Sequence, residues 1–143
     1  MNLQLPYEFM DHTADIGVRI YGATLEELFQ NAAKALYETL GRFAVKGEGV
    51  KREIKIEDAG GGEELLVEWL SELLFRFDAH GELYDRIDFD VLTPERLAAR
   101  LQGAAVDLNH SEPNCELKAV TRHATQVKKM TDGSWQATVI FDV

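Results

Sequence analysis

The sequence predicts an α+β fold, a two-layer domain in which two amphipathic helices cover one face of a mostly antiparallel or mixed sheet. Two segments, 25–40 and 65–77, repeat apolar residues at helical spacing. Several other segments alternate apolar and polar residues with the period of two that marks a strand with one buried face. The chain has 143 residues, within the usual range of one domain. We therefore expect residues 1–143 to form a single domain.

The first predicted pair of elements is a strand followed by a helix. Ile16, Val18 and Ile20 alternate with polar or small residues and predict the strand. Thr24 and Glu27 have the spacing of a capping box, which predicts a helix start. Gly41 is predicted to end that helix in the left-handed conformation.

The second pair repeats this order. Residues 50–57 alternate apolar and charged side chains and predict a strand with one wet face. The loop "DAGGGEE" then leads into the second helix, and its triple glycine lacks the Gly-Lys-Ser/Thr of a P-loop. Trp69 falls on the apolar stripe of this helix, so we expect it in the core.

The C-terminal half predicts hairpins. Residues 86–91 and 96–101 alternate in the manner of strands, and Pro94 lies between them as a turn former. Residues 118–128 predict a further strand. Asp132-Gly133 predicts a two-residue turn into a last strand.

Composition limits the kinds of partner. With 25 acidic and 15 basic residues the formal charge is -10, and no basic stripe is present. Binding to nucleic acid depends on Lys and Arg that neutralise phosphates, so we expect no strong direct binding to nucleic acid. A basic protein partner is expected instead. No apolar run reaches the roughly 20 residues of a membrane span, and the N-terminus does not resemble a secretory signal, so a cytoplasmic protein is expected.

Short polar residues crowd the stretch "DHTAD" at residues 11–15. Asp and Thr commonly bond to the backbone in turns, so a plain turn explains the stretch. The four histidines show no HxxxH pair, and Cys115 is the only cysteine, which argues against zinc. No serine lies in a recognisable nucleophile turn. From the residues alone, a turn and a metal site both remain open.

Four stretches in the same order resemble the archease family: "DHTADIGVRIYGATLEELFQNAAKAL", "HSEP", "ELKAVTRH" and "DGSWQATVIFDV". Archeases are small acidic proteins that serve the tRNA-splicing RNA ligase as cofactors. They promote its guanylylation and its multiple turnover, and they are not themselves ligases. The resemblance implies the same role here, with an RNA ligase as the protein partner.

The resemblance also implies a bound divalent cation, most often calcium, with Mg²⁺ or Mn²⁺ as alternatives. The implied ligands match Asp15, Asp142 and Val143. Such hard cations prefer carboxylate and carbonyl oxygens. In an extended chain Asp11 would lie roughly 13 Å from Asp15, so Asp11 is expected only as an outer ligand.

Two other classes of function stay open on the sequence. An independent metal-dependent hydrolase would need an open coordination position and a general base such as His12 or His110. A generic chaperone-like scaffold would use the cation for structure alone. An assay of ligase guanylylation would distinguish these classes, because a ligase cofactor would accelerate that reaction and a hydrolase or a scaffold would not.

Overall fold

The computed structural model describes residues 5–10 and 15–143, which form seven strands and two helices. The α+β class predicted from the sequence is confirmed. In chain order the elements are β1 (Tyr7–Met10), β2 (Ile16–Gly22), α1 (Leu25–Leu40), β3 (Gly41–Ile56), α2 (Gly62–His80), β4 (Glu82–Leu92), β5 (Leu97–Pro113), β6 (Ala119–Lys129) and β7 (Trp135–Asp142).

The strands form two antiparallel sheets, where the sequence predicted one. The four-stranded sheet has the order β1-β2-β7-β6, and the three-stranded sheet has the order β3-β5-β4. Both helices contact strands of both sheets. The expected two-layer arrangement is therefore extended by a third layer, which covers the helix faces that the first sheet leaves open.

Helix α1 shows why a second sheet is needed. Its exposed side chains occupy one narrow stripe, formed by Glu26, Glu27, Lys34 and Glu38. Mostly apolar side chains cover the rest of its circumference, so a single sheet on one side would leave several of them in water. The same hydrophobic cluster also contains Trp69 of α2, whose indole Nε1 donates to the carbonyl of Phe29 at 3.0 Å. The prediction that Trp69 lies in the core is confirmed.

The ends of α1 follow the sequence closely. The Thr24 hydroxyl accepts from the amide of Glu27 at 3.1 Å, as the capping box predicted. Gly41 donates its amide to the carbonyl of Tyr37, but its φ of 145° and ψ of -160° are not left-handed helical. A side chain there would lie 2.5 Å from the carbonyl oxygen of Glu112, so glycine is required by this close approach as well as by its φ.

The predicted hairpins form with differences in length. Pro94 and Glu95 make the turn between β4 and β5. The turn after β6 has three residues rather than the expected two, because Met130 donates its amide to Ser134 at 2.7 Å around Thr131, Asp132 and Gly133. Gly133 takes the positive φ that this longer loop requires. Neither described helix combines the length and apolar character needed to cross a bilayer.

Candidate metal centre

Asp15 and Asp142 lie at the same end of two neighbouring strands. Strands β2 and β7 pair from Gly22 opposite Trp135 to Ile16 opposite Phe141. One residue further along each chain stand Asp15, just before β2, and Asp142, the last residue of β7. The antiparallel pairing therefore brings these two sequence-predicted residues to one sheet end.

The other predicted residues differ in their setting. Val143 follows Asp142 directly and is 39% exposed. The main-chain carbonyl of Asp142 accepts from the amide of Lys118 at 2.8 Å, so that oxygen already has a donor. Asp11, the expected outer ligand, lies outside the described residues.

Asp15 also lines a cleft of about 560 Å³ between β1, the end of α1 and the start of β3. Glu38 and Arg42 line the same cleft, so it contains two carboxylates and one guanidinium. The hydroxyl of Tyr7 donates to Glu38, and burial together with this bond raises the pKa of Tyr7 to about 12. Tyr7 thus remains a hydrogen-bond donor to Glu38 at physiological pH.

The C-terminal end of α1 forms one wall of this cleft. Asn114 donates its amide to the carbonyl of Leu40 at 2.8 Å and its side-chain Nδ2 to the carbonyl of Thr39 at 3.3 Å. Cys115 lies against the same Thr39 carbonyl, and burial raises the pKa of its thiol. These contacts satisfy helix-end carbonyls that would otherwise need other donors. Cys115 therefore acts here as a packing residue.

Carboxylates at one sheet end fit a hard divalent cation by their chemistry. Over residues 5–10 and 15–143, however, no three His, Cys, Asp or Glu side chains converge as metal ligands. Asp15 and Asp142 would supply two carboxylates to such a site. A complete coordination shell would need further oxygens, from the main chain, from water or from Asp11.

Sequence reasoning missed Glu38 as a member of this region. The sequence feature that could have indicated Glu38 is an acidic side chain in the last turn of α1, where no basic residue is present. Negative charge is unfavourable at a helix C-terminus, where the helix dipole is itself negative. No histidine of the described residues lines this cleft, and the Nδ1 of His110 in β5 is 2.7 Å from Asp107 instead. His12 lies outside the described residues.

Comparison with known proteins decides the family. The model of the Archease protein family (MTH1598/TM1083) matches residues 7–143. The chain belongs to the archease family. The family assignment made from the four sequence stretches is therefore confirmed.

Archease-family relatives match this chain over almost their whole length. Protein archease of Thermococcus gammatolerans is 35% identical over 140 residues, which cover 96% of this chain and 98% of that protein. Protein archease of Pyrococcus furiosus is 36% identical over 143 residues, which cover 96% and 98%.

Two solved structures share the archease fold. The solution structure of Methanobacterium thermoautotrophicum protein 1598 is 35% identical with a TM-score of 0.70, and the match covers 96% of this chain and 99% of that one. The crystal structure of the Thermotoga maritima archease TM1083, whose name adds "possible chaperone", is 22% identical with a TM-score of 0.69, and the match covers 100% and 99%. At that identity the second likeness supports the fold alone.

Proposed function

We propose that this chain is a cytoplasmic protein cofactor of the tRNA-splicing RNA ligase, which promotes guanylylation and multiple turnover of that enzyme. The observation that carries the proposal is membership of the archease family over residues 7–143. The chain itself would catalyse no step. Its effect would come from binding the ligase and favouring the conformation that reacts with GTP.

The metal part of the proposal rests on the shared strand end. Asp15 and Asp142 would hold the cation, with a main-chain oxygen of Val143 and, at longer range, Asp11. Ca²⁺ is the expected ion because the archease resemblance implies it, and Mg²⁺ and Mn²⁺ are alternatives. Ca²⁺ accepts six to eight oxygen ligands in irregular arrangements, which is compatible with ligands from two strand ends. Bound there, the cation would supply positive charge that neutralises neighbouring carboxylates and fixes the two strand ends.

Charge supports a protein partner over RNA. The net charge is -10, and the arginines at positions 19, 52, 76, 96, 100 and 122 are each paired with a carboxylate. These pairs occupy six of the 15 Lys and Arg residues, and the net negative charge opposes the binding of phosphates by the rest. Association with a basic protein surface would be fast and would slow with added salt.

The direct test mixes this protein with purified ligase, GTP, Mn²⁺ and RNA ends, and measures covalent guanylylation of the ligase and joined RNA per ligase molecule. The proposal expects both to rise. RNA turnover without ligase would instead indicate a metal-dependent hydrolase. If the protein changes neither reaction, it does not activate the ligase, and a scaffold role becomes the better account.

A further inference from the structure

Arg52 joins a carboxylate to a main-chain carbonyl on β3. Its Nε and Nη2 donate to the two oxygens of Glu82 at 3.1 and 2.8 Å. Its Nη1 donates to the carbonyl of Lys51 at 3.1 Å. The planar guanidinium has five donors, which allows it to serve both acceptors at once.

Arg76 makes the same kind of contact two residues further along β3. Its Nε donates to Glu72 Oε1 at 3.0 Å, and its Nη2 donates to the carbonyl of Glu53 at 3.0 Å. Here the carboxylate comes from α2, which runs beside the strand. Two successive acceptor sites along β3 therefore each bind a guanidinium.

The sheet register shows that a third carbonyl faces the same way. Thr93 and Arg96 exchange both main-chain hydrogen bonds at 3.0 and 3.3 Å, so the main-chain amide and carbonyl of Arg96 point toward β4. The main-chain amide and carbonyl of Leu97, the next residue of β5, must then point toward β3, where Leu97 lies opposite Ile56. Because directions alternate along a strand, Lys55 points its carbonyl away from β5.

This alternation agrees with the observed contacts, since the carbonyl of Glu53 also points away from β5 and accepts a hydrogen bond from Arg76. Lys55 lies two residues beyond Glu53, about 7 Å along the strand. Glu68 lies four residues from Glu72, about 6 Å along α2. Lys55 and Glu68 both line a cleft of about 510 Å³ between β3 and α2. Their positions thus continue the series of one carboxylate beside one outward carbonyl.

Glu68 differs from the glutamates one turn to either side. Glu64 is paired with Arg122, and Glu72 is paired with Arg76. The Oε2 atom of Glu68 is shielded from solvent and has no hydrogen-bond partner within the described parts of the chain. A carboxylate oxygen withdrawn from water without a donor costs free energy, and the Arg122 guanidinium acts on Glu68 only through electrostatic attraction. A charged donor in the cleft would recover that free energy once the Glu68 side chain turns toward it.

We propose that the carboxylate of Glu68 and the carbonyl of Lys55 bind the guanidinium of an arginine carried by a partner protein. The contacts of Arg52 and Arg76 provide the template, because each joins one carboxylate to one outward carbonyl of β3. The charge of -10 favours the approach of such a basic segment. The site lies apart from the proposed cation ligands, since it adjoins the three-stranded sheet, whereas Asp15 and Asp142 lie at one end of the four-stranded sheet.

The probe is a short acetylated and amidated peptide, Ser-Gly-Arg-Gly-Ser, titrated into the full chain and followed by amide NMR shifts. We expect the shifts to concentrate at residues 54–57 and 68–72. A peptide with citrulline, which keeps the shape without the charge, should give no such shifts. The lysine peptide should bind more weakly, because an ammonium lacks the planar fork.

The decisive variant is Glu68→Gln, and its matched control is Glu63→Gln, which removes the same charge from an exposed position of the same helix. Glu68→Gln should lower the affinity for the arginine peptide by about tenfold, and Glu63→Gln should lower it by less than about twofold. Equal losses, shifts spread over other acidic surfaces, or no binding would overturn the proposal. Concentration-dependent shifts of the same residues without peptide would instead assign this edge to a second copy of the chain. The NMR spectrum of each variant also reports whether it is folded.

Discussion

The helix layer and the strand end that carries Asp15 and Asp142 contrast in burial and charge. Leu28, Trp69 and Leu70 are 0% exposed and belong to one hydrophobic cluster that includes side chains from both sheets. Asp15 and Asp142 are partly exposed, and they lie outside the hydrophobic cluster. We therefore expect the first region to supply most of the stability, and we expect a change of ligand or partner at the second region to leave the chain folded.

The contrast predicts its largest effect for a charge placed in the helix layer. Leu28→Asp should abolish cooperative unfolding, because the new carboxylate would be buried without a partner. Leu70→Asp, in α2, should also abolish cooperative unfolding. Glu26→Ala, an exposed change in the same helix as Leu28, should stay within about 0.5 kcal/mol of the parent. Urea denaturation followed by circular dichroism measures all three, and a normal transition for Leu28→Asp would remove the layer's central role.

A smaller effect is expected where two strands approach closely. A side chain at Gly103 would place its Cβ 1.9 Å from the carbonyl oxygen of Leu83. We expect Gly103→Ala to cost about 3 kcal/mol, because backbone must move to admit the methyl group. Gly47→Ala is the control: it has no heavy atom within 4 Å, and its φ of 74° should cost about 1 kcal/mol. Similar urea midpoints for the two variants would contradict the steric argument.

The cap of α1 should matter less. Thr24→Ala removes the hydroxyl that accepts from Glu27 and should cost about 1 kcal/mol in thermal or urea unfolding. Thr24→Ser keeps the acceptor and should retain most of that stability. Equal losses in both variants would show that the hydroxyl bond contributes little.

The bond between Glu82 and Arg52 should make the stability of the protein depend modestly on pH. This bond holds the pKa of the Glu82 carboxyl below its ordinary value. A lowered folded-state pKa stabilises the protein above the unfolded pKa of about 4.3, and this contribution disappears as pH falls through the folded value. Glu82→Gln should therefore lower the urea midpoint at pH 7 and lose less on acidification than the parent. Glu48→Gln, an exposed control on β3, should keep the parent's pH profile.

Local patterns were enough to predict most elements. The period of the apolar residues and the Thr24 cap depend on neighbours in sequence, so α1 and its start could be predicted directly. The division into two sheets could not, because it depends on pairing between distant strands such as β3 and β5. The three-residue turn at Thr131–Gly133 was missed because Asp-Gly fits more than one hairpin loop.

The candidate site was predictable only in part. Asp15 and Asp142 came from the family resemblance, and the pairing of Ile16 with Phe141 gives them a common location. Glu38 was missed because its place beside Asp15 depends on how α1 packs against the sheet. The acceptor site at Glu68 and Lys55 was hidden for the same reason, since strand alternation and helix position together create it.

The central claim is that the strand-end carboxylates serve ligase activation and contribute little to folding. Asp15→Asn tests it most directly, because the amide keeps the size and one acceptor oxygen while removing the charge that a divalent cation needs. The measurement compares ligase guanylylation rates of parent and variant, beside calorimetric Ca²⁺ binding and circular dichroism. We expect a folded variant with weaker Ca²⁺ binding and reduced activation, and the same for Asp142→Asn. Full activation by a folded Asp15→Asn protein would contradict the claim.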